Sequence, residues 1–278
     1  MYLVVGANGQ LGNCIRLFLK DTAIYTDKEE LDITDENAVK EFVKNNNFKC
    51  IINCSAYTAV DKAENDIELA TKINVDGVRN LAKTNIPLIH ISTDYVFNGK
   101  NNVPYVETDT TDPMSVYGKT KLEGEKEVLK YSKSAIIIRT AWLYSQFGNN
   151  FLKTMLRLGK EKESLNVVFD QVGTPTYAMD LAGVIFKILQ SGKYENMKEI
   201  YHFSNEGVCS WYDFAIEIMK EVNLNCKVKP IESKDYPTLA VRPSFSVLNK
   251  SKIKRDFGVE IEHWRMAMVE CLRNVGNL

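Results

Sequence analysis

The chain opens with MYLVVGANGQLG, residues 1–12, in which a short apolar run (residues 2–5) leads into a loop with three glycines and then a helical pattern. Gly6 can adopt the positive φ of a tight turn, and Gly9 leaves room for a pyrophosphate to approach the backbone. Gly12 lets the following helix pack closely on the sheet. The free N–H groups at the start of that helix attract phosphate. A strand, this loop and a helix in that order predict a dinucleotide-binding site rather than a tight turn alone.

Short apolar runs alternate with helical patterns through the first half of the chain. Apolar runs without polar alternation are typical of strands buried on both faces, so the pattern predicts βαβ units. The predicted fold class is α/β, with a Rossmann-type doubly wound parallel sheet. The predicted strands cover residues 2–5, 23–26, 49–53, 88–92 and 135–139, and the predicted helices cover residues 10–20, 38–45 (with Thr34 as the N-cap), 64–84 and 115–130.

The regular alternation weakens after about residue 145, and several prolines fall in the loops beyond it. We predict a dinucleotide-binding domain over residues 1–145, to which residues 170–205 return. A smaller α/β domain over residues 146–278 is predicted to bind the substrate. Since ligands commonly bind between domains, the cleft between the two is the expected ligand site. In this second half we predict helices at residues 150–162, 179–190 and 210–222, and strands at residues 165–169 and 199–203.

The composition argues against several classes of function. The 278 residues carry 35 Lys and Arg against 36 Asp and Glu, so nothing draws the chain generally to nucleic acid or anionic membranes. No apolar run approaches the roughly 18 residues of a membrane span, and the N-terminus lacks the basic start of a signal peptide. The six cysteines form no C-x-x-C pair, which indicates a reducing, cytoplasmic setting. The histidines His90, His202 and His263 make no metal-binding pattern, so no metal site is expected.

Two acids follow the second predicted strand. Asp27 ends that strand, where the acid that binds the adenosine ribose normally lies. We assign Asp27 to the ribose, and Asp32 with Ile33 to the adenine edge. An acid at this position repels a 2′-phosphate and no arginine stands beside it, so the sequence favours NADH over NADPH. A capping role in a solvated loop is the alternative for each acid.

Tyr117 and Lys121 lie four residues apart, on one face of a predicted helix. A nearby ammonium lowers the pKa of a tyrosine toward the range useful for proton transfer. The same spacing occurs at Tyr194 and Lys198, but Tyr194 is predicted to lie on the surface. Tyr117 instead follows a strand that ends in Ser92-Thr93-Asp94, and strand ends of this kind lie on the ligand side of a parallel sheet.

These features together resemble an extended short-chain dehydrogenase/reductase, and finer motifs resemble the dTDP-4-dehydrorhamnose reductase family. The resemblance runs from residue 2 to about residue 270. Its motifs are the glycine loop, Cys54-Ser55-Ala56-Tyr57-Thr58, Ala59-Val60-Asp61-Lys62-Ala63-Glu64, Ile73-Asn74-Val75-Asp76-Gly77, Ser92-Thr93-Asp94-Tyr95-Val96-Phe97, Val116-Tyr117-Gly118, Arg139-Thr140-Ala141-Trp142, Gly148-Asn149-Asn150-Phe151, Asp170-Gln171-x-Gly173-x-Pro175-Thr176 and Arg242-Pro243.

The resemblance implies that NADPH or NADH reduces C4 of dTDP-4-dehydro-L-rhamnose to give dTDP-L-rhamnose, a precursor of cell-surface polysaccharide. Tyr117 would protonate the C4 oxygen, Lys121 would tune Tyr117 and hold the ribose, and Thr93 would polarise the carbonyl. The remaining contacts carried over from the family are, for the cofactor, Gly6, Gly9, Gln10, Leu11, Gly12, Asp27, Asp32, Ile33, Tyr57 and Thr58, and, for the substrate, Asp94, Tyr95, Trp142, Asn150, Lys153 and Arg242.

One departure from the family concerns a metal. Some members bind Mg²⁺ at a dimer interface through glutamates, one of them on the first helix. Gly12-Asn13-Cys14 occupies that neighbourhood here, and the chain ends at Leu278, where those members carry a further acid. We therefore expect neither that metal nor that mode of dimer, and the chain is expected to be a monomer or another homodimer.

Two other functions fit the same scaffold. The first is another nucleotide-sugar reductase or epimerase. Dehydration is disfavoured because Tyr95, and not a second acid, follows Asp94. The second is a non-catalytic subunit resembling the regulatory subunit of methionine adenosyltransferase, which the presence of Thr93, Tyr117 and Lys121 disfavours.

Overall fold

A six-stranded parallel sheet forms the centre of the computed structural model, which describes residues 1–277. The predicted domain end at residue 278, and the expectation drawn from that residue, lie outside the described part. The strands are β1 (Tyr2–Val5), β2 (Ala23–Thr26), β3 (Cys50–Asn53), β4 (Leu88–Thr93), β5 (Ala135–Thr140), β6 (Leu143–Tyr144), β7 (Ser164–Val168), β8 (Val172–Gly173), β9 (Thr176–Tyr177), β10 (Lys198–Phe203), β11 (Cys209–Ser210) and β12 (Lys227–Ile231).

Helices connect the strands and flank the sheet. They are α1 (Gln10–Leu19), α2 (Glu36–Lys44), α3 (Val60–Ala63), α4 (Ile67–Thr71), α5 (Val78–Ala82), α6 (Val116–Tyr131), α7 (Phe151–Glu161), α8 (Ala178–Ser191), α9 (Trp211–Glu221), α10 (Ser251–Phe257) and α11 (Trp264–Asn274). A π-helical segment, Lys72–Gly77, joins α4 to α5.

The sheet order is β10-β5-β4-β3-β1-β2, and every pairing in it is parallel. Successive side chains of a strand point to opposite faces, so both faces carry an apolar layer. One layer packs against α1, α8 and α10, and the other packs against α2, α5 and α6. This arrangement confirms the predicted α/β class and the doubly wound parallel sheet.

The order in which strands are added to the sheet reverses between β1 and β3, which lie side by side. β2 lies on one side of β1, and β3, β4 and β5 follow on the other. The loops that leave two such strands diverge to opposite faces and open a crevice at their carboxyl ends. The glycine loop follows β1 at this point, and the loop after β3 lies beside it. The topology therefore places the ligand site at this edge of the sheet.

A second, smaller core forms from the later part of the chain. It contains apolar side chains of α7, α9 and α11, packed around the short parallel pair β7 and β12. In contrast, β10 and α8 belong to the central sheet and its covering layer. No helix within residues 1–277 is both long and apolar enough to cross a membrane.

Two local predictions are wrong, and a third needs refinement. Asp35, not Thr34, caps α2, because its carboxylate accepts hydrogen bonds from the N–H groups of Asn37 and Ala38. The helix predicted over residues 64–84 is present as a continuous helical run of α4, the π-helical segment and α5, and only the π-helical turn in its middle was not predicted. Tyr194 is only 2% exposed, because its ring packs into the apolar layer beneath α8.

Helix α6 packs closely on the π-helical segment, and this contact predicts how the substitution of a glycine at the contact changes the free energy of unfolding. A β-carbon at Gly124 would collide with the carbonyl oxygen of Asn74. We expect Gly124→Ala to lower the free energy of unfolding by roughly 1–3 kcal/mol, despite the better helix propensity of alanine. Gly183→Ala is the matched control, because its β-carbon would lie 3.5 Å from Phe18. We expect it to be neutral or to stabilise by up to about 1 kcal/mol.

Urea denaturation of the two variants tests this expectation. Equal stability of both would contradict the close packing of α6 on the π-helical segment.

Candidate active site

A cleft of about 810 Å³ runs along the carboxyl edge of the central sheet. This volume is within the range of small-molecule and cofactor sites. Its walls include the glycine loop, the ends of β3, β4 and β5, and parts of the second half of the chain, among them Trp142, Trp211 and Arg242.

Glycines shape one end of the cleft. Gly6 has φ of +72°, and a β-carbon there would lie 2.6 Å from the backbone nitrogen of Ser55. A β-carbon at Gly12 would lie 2.5 Å from the Cα atom of Ala7. Gly9 is the N-cap of α1 and offers no side chain to the N–H groups of the first turn. These groups lie where a pyrophosphate would be bound.

Acids and lysines together line the end of the cleft where the sequence predicts the adenosine, called the adenosine end below. Asp27 accepts hydrogen bonds from the N–H groups of Asn8 (3.1 Å) and Lys28 (2.8 Å). The Asp32 carboxylate accepts two from Thr34. Partial burial alone would raise the pKa of Asp32, but the Thr34 hydrogen bonds and the ammonium groups of Lys28 and Lys72 outweigh it and lower that pKa. Lys28 and Lys72 also line the cleft, and the sequence prediction missed both.

Thr93, Tyr117 and Lys121 meet at the centre of the cleft. Thr93 ends β4, and the other two lie on the first turns of α6. Ser115 caps that helix, and Glu64 accepts a hydrogen bond from the N–H of Val116 (2.8 Å). Burial raises the pKa of Tyr117, and the nearby Thr93 hydroxyl opposes only part of that rise.

The expected lowering of the Tyr117 pKa by Lys121 is therefore not what the structure shows. The Lys121 ammonium donates a hydrogen bond to the carbonyl oxygen of Ile91 (2.6 Å). Burial lowers the pKa of Lys121 to about 8, against the opposing effect of the Glu125 carboxylate.

A buried ion pair lies behind Lys121. Glu125 is one helical turn beyond Lys121 on α6, and its two oxygens accept hydrogen bonds from the Arg139 guanidinium at 2.9 and 2.7 Å. Both side chains are buried. Ser92, next to Thr93 on β4, donates a hydrogen bond to the same carboxylate. This network fixes α6 against β4 and β5, and thereby positions Tyr117 and Lys121 relative to Thr93.

Asp94 is a buried carboxyl group at the cleft, only 2% exposed. Its Oδ1 accepts a hydrogen bond from the Thr93 hydroxyl at 3.0 Å. Its Oδ2 has no hydrogen-bond partner within residues 1–277. Burial raises the pKa of Asp94 to about 6. Asp94 can therefore change its charge near neutral pH.

Arg242 reaches the cleft from the later part of the chain. Its guanidinium forms an ion pair with Asp61 (2.7 Å) and donates a hydrogen bond to the Tyr95 hydroxyl (3.3 Å). The other oxygen of Asp61 accepts a hydrogen bond from the N–H of Ala240 (3.1 Å). The Tyr95 ring meets Tyr117 edge to face, with centroids 5.5 Å apart. Asp61 therefore ties the segment that carries Arg242 to α3.

Two tryptophans form an aromatic part of the cleft wall. Trp142 stacks on Trp211 with ring centroids 3.6 Å apart. Both line the cleft, but only Trp142 was predicted. Trp142 was found through a family motif, whereas Trp211 follows an unremarkable Cys-Ser pair and carries no local signal. With one face of Trp142 covered by Trp211, less of its ring remains for a ligand than the sequence suggested.

Gln10 and Asn150 line the cleft but also bond to each other. The Asn150 amide donates to the Gln10 side chain at 2.9 Å, and the Ser145 hydroxyl donates to the same oxygen at 3.1 Å. Asn150 is also the N-cap of α7. The pair therefore links the start of α1 to the start of α7.

Most predicted site residues line this one cleft, but two do not. The Tyr57 hydroxyl donates a hydrogen bond to Asp66 (3.2 Å). The Lys153 ammonium lies 3.4 Å from the carbonyl oxygen of Gln146. The family resemblance implied both as contacts, and in this structure both side chains form local hydrogen bonds instead of lining the cleft. Residues 1–277 contain no group of three or more His, Cys, Asp or Glu side chains arranged to hold a metal ion.

Comparison with known proteins gives the same family that the sequence motifs resemble. A model of the family described as "RmlD substrate binding domain" matches residues 1–277. The dTDP-4-dehydrorhamnose reductase of Aggregatibacter actinomycetemcomitans is 43% identical, and the match covers 96% of each chain.

Two crystal structures of dTDP-4-dehydrorhamnose reductases are also similar. That from Clostridium acetobutylicum has a TM-score of 0.94 and 42% identity, with 99% of each chain covered. That from Bacillus anthracis, in complex with NADP, has a TM-score of 0.94 and 37% identity, with 98% of each covered.

The raised pKa of Asp94 predicts a pH-dependent stability. Well below pH 4 the carboxyl group is protonated in both the folded and the unfolded chain. As the pH rises through about 6, folding must retain a proton or bury a charge, so the contribution of this group to stability falls. We expect Asp94→Asn to be more stable than the wild type near pH 7.5, by up to roughly 3 kcal/mol, and the gain to vanish toward pH 4.

Urea denaturation at the two pH values measures this difference. Asp235→Asn, at an exposed carboxylate of the later half, is the control and should show no comparable pH-dependent gain. A gain of equal size at both pH values would contradict the titration of Asp94.

Proposed function

The chain belongs to the dTDP-4-dehydrorhamnose reductase family, and we propose that it reduces the C4 keto group of dTDP-4-dehydro-L-rhamnose with NADPH to give dTDP-L-rhamnose. The product would serve the synthesis of cell-surface polysaccharide. The single observation that carries the proposal is the meeting of Thr93, Tyr117 and Lys121 in a cleft that also contains the glycine loop. The six free cysteines are in keeping with a cytoplasmic setting.

The glycine end of the cleft fits a dinucleotide. Gly9 leaves the start of α1 without a side-chain cap, and Gly6 and Gly12 allow a close packing that a β-carbon would prevent. We assign the pyrophosphate to the N–H groups of this first turn, with Leu11 at its side. Bound NADPH would supply the hydride that C4 of the sugar receives.

Tyr117 is assigned as the proton donor. When hydride reaches C4, the carbonyl oxygen gains negative charge and takes a proton, so that the ketone becomes a secondary alcohol. The raised pKa keeps Tyr117 protonated through the neutral range, and the protonated phenol is the form that reduction requires. Thr93 would donate a hydrogen bond to the same oxygen and stabilise its developing charge.

Lys121 is assigned two tasks. Its positive charge would stabilise the phenolate that Tyr117 becomes after the transfer. One of its three N–H donors is held by the Ile91 carbonyl, which leaves two for the nicotinamide ribose. Because burial lowers its pKa to about 8, this charge would decline as the pH rises above neutrality.

The sugar and its diphosphate are assigned to the opposite wall. Asp94 and Tyr95 would orient the sugar hydroxyls, and the exposed part of Trp142 would contact the deoxysugar. Arg242 presents a planar guanidinium suited to a diphosphate, already oriented by Asp61. We also assign Asn150 as a substrate contact, because it lines the cleft.

The direct test is cofactor consumption. The purified protein is mixed with NADPH or NADH and enzymatically prepared dTDP-4-dehydro-L-rhamnose, and the reduced-nicotinamide absorbance is followed. We expect oxidation that needs both sugar and protein, with dTDP-L-rhamnose as the product. Cofactor binding without oxidation would overturn this substrate assignment and favour another nucleotide sugar or a regulatory role.

Tyr117→Phe tests the proton donor. Removal of the hydroxyl should lower kcat by about 10²- to 10⁴-fold, the usual contribution of a general acid, and leave the Kd of NADPH nearly unchanged. Tyr194→Phe is the matched control, because Tyr194 has the same spacing to a lysine but lies in the core beneath α8. Unchanged turnover of Tyr117→Phe would exclude Tyr117 as the acid.

Arg242→Met tests the diphosphate contact. Loss of a charge-assisted hydrogen bond should raise the KM for the nucleotide sugar by about 10- to 100-fold, with a smaller effect on kcat. Lys234→Met removes an exposed cation from the same part of the chain and is the control. A large fall in kcat with an unchanged KM would contradict the assignment.

A further inference from the structure

We propose that Lys28 and Lys72 form a binding site for the 2′-phosphate of NADPH. This inference rests on the proposed function and adds to it the residues that would distinguish NADPH from NADH. A 2′-phosphate carries most of two negative charges and is absent from NADH. Cations beside the adenosine ribose therefore decide how strongly the two cofactors differ in affinity.

Both lysines line the cleft at its adenosine end, together with Asp27, Asp32 and Ile33. Lys28 directly follows Asp27 at the end of β2, which is where the adenosine ribose is expected. Lys72 begins the π-helical segment, 44 residues later in the chain. The positive charges of both ammonium groups also lower the pKa of one carboxylate, that of Asp32.

Neither ammonium group forms a salt bridge within residues 1–277. Many other lysines of the chain do, including Lys83, Lys126, Lys234 and Lys250. Lys28 and Lys72 are also exposed, so a phosphate can reach them without the loss of an existing ion pair.

The backbone that carries Lys72 is held firmly against the adenosine end. Gly77, at the other end of the π-helical segment, lacks a side chain and so leaves room for the Ile33 side chain. The Asn80 amide donates to the carbonyl oxygen of Ile33 at 2.9 Å. Within the segment, Asn74 bonds to both backbone groups of Tyr57, at 2.9 and 3.2 Å. π-helical turns are rare and occur frequently at functional sites.

Asp27 does not exclude a phosphate here. Its carboxylate already accepts hydrogen bonds from two backbone N–H groups, those of Asn8 and Lys28, which offset part of its charge. Glu30 adds a further carboxylate, which accepts a hydrogen bond from the N–H of Asp27. With acids and lysines both at this rim, we expect NADPH to bind more tightly than NADH while NADH still binds.

Direct binding measurements test the site without any turnover. The Kd values of NADPH, NADH, 2′,5′-ADP and 5′-AMP are measured by calorimetry for the wild type, Lys28→Met, Lys72→Met and the double variant. We expect NADPH and 2′,5′-ADP to weaken by about 5-fold per lysine, with NADH and 5′-AMP changing by less than about 2-fold. Lys126→Met, at an exposed lysine on α6, is the control.

Ionic strength gives a second readout. The wild-type affinity for NADPH should fall more steeply with added salt than the affinity for NADH, and the double variant should lose that difference. Equal weakening of both cofactors, or an unchanged NADPH affinity in the double variant, would overturn the site. Failure of the wild type to bind either cofactor would overturn the proposed function itself, and the two results are therefore distinct.

Discussion

The buried ion pair between Glu125 and Arg139 is the interaction on which the geometry of the site depends. It joins α6 to β5 in the interior, and the Ser92 hydroxyl extends it to β4. Removal of one partner from such a pair is strongly destabilising, because the other charge is then left buried and alone. The pair therefore allows one position of α6 relative to the sheet. In that position Lys121 and Tyr117, one and two turns earlier on the helix than Glu125, face Thr93 at the end of β4.

Much of the fold and part of the site follow from the sequence, for reasons that can be stated residue by residue. Buried parallel strands need continuous apolar runs, so β1 and β3 were predicted closely. The glycine loop was recognisable because its backbone geometry tolerates no β-carbon at Gly6 or Gly12. The sequence could not show that Tyr194 is buried or that Trp211 covers one face of Trp142, since both depend on contacts between distant segments.

The adenosine end shows why residue type alone does not decide between NADPH and NADH. Asp27 in isolation is a charge that repels phosphate. In the folded chain its carboxylate accepts hydrogen bonds from two N–H groups, and Lys72 is brought to the same rim from a distant part of the sequence. The irregular π-helical turn that presents Lys72 has no sequence pattern as clear as the 3.6-residue period of an α-helix. Whether this rim attracts or repels a phosphate therefore depends on the tertiary structure.

Burial of the central groups favours the protonation state of Tyr117 that the proposed reduction would use. In a setting with little water, a neutral phenol is preferred to a phenolate and a neutral amine gains on an ammonium. In the proposed reduction, the raised pKa of Tyr117 would keep a proton available for the carbonyl oxygen, which becomes strongly basic when it accepts hydride. The opposite reaction needs a phenolate to remove a proton from an alcohol, and burial opposes that form. In the reduction, the Lys121 ammonium, whose protonated form the Glu125 carboxylate favours, would stabilise the phenolate once the proton has left.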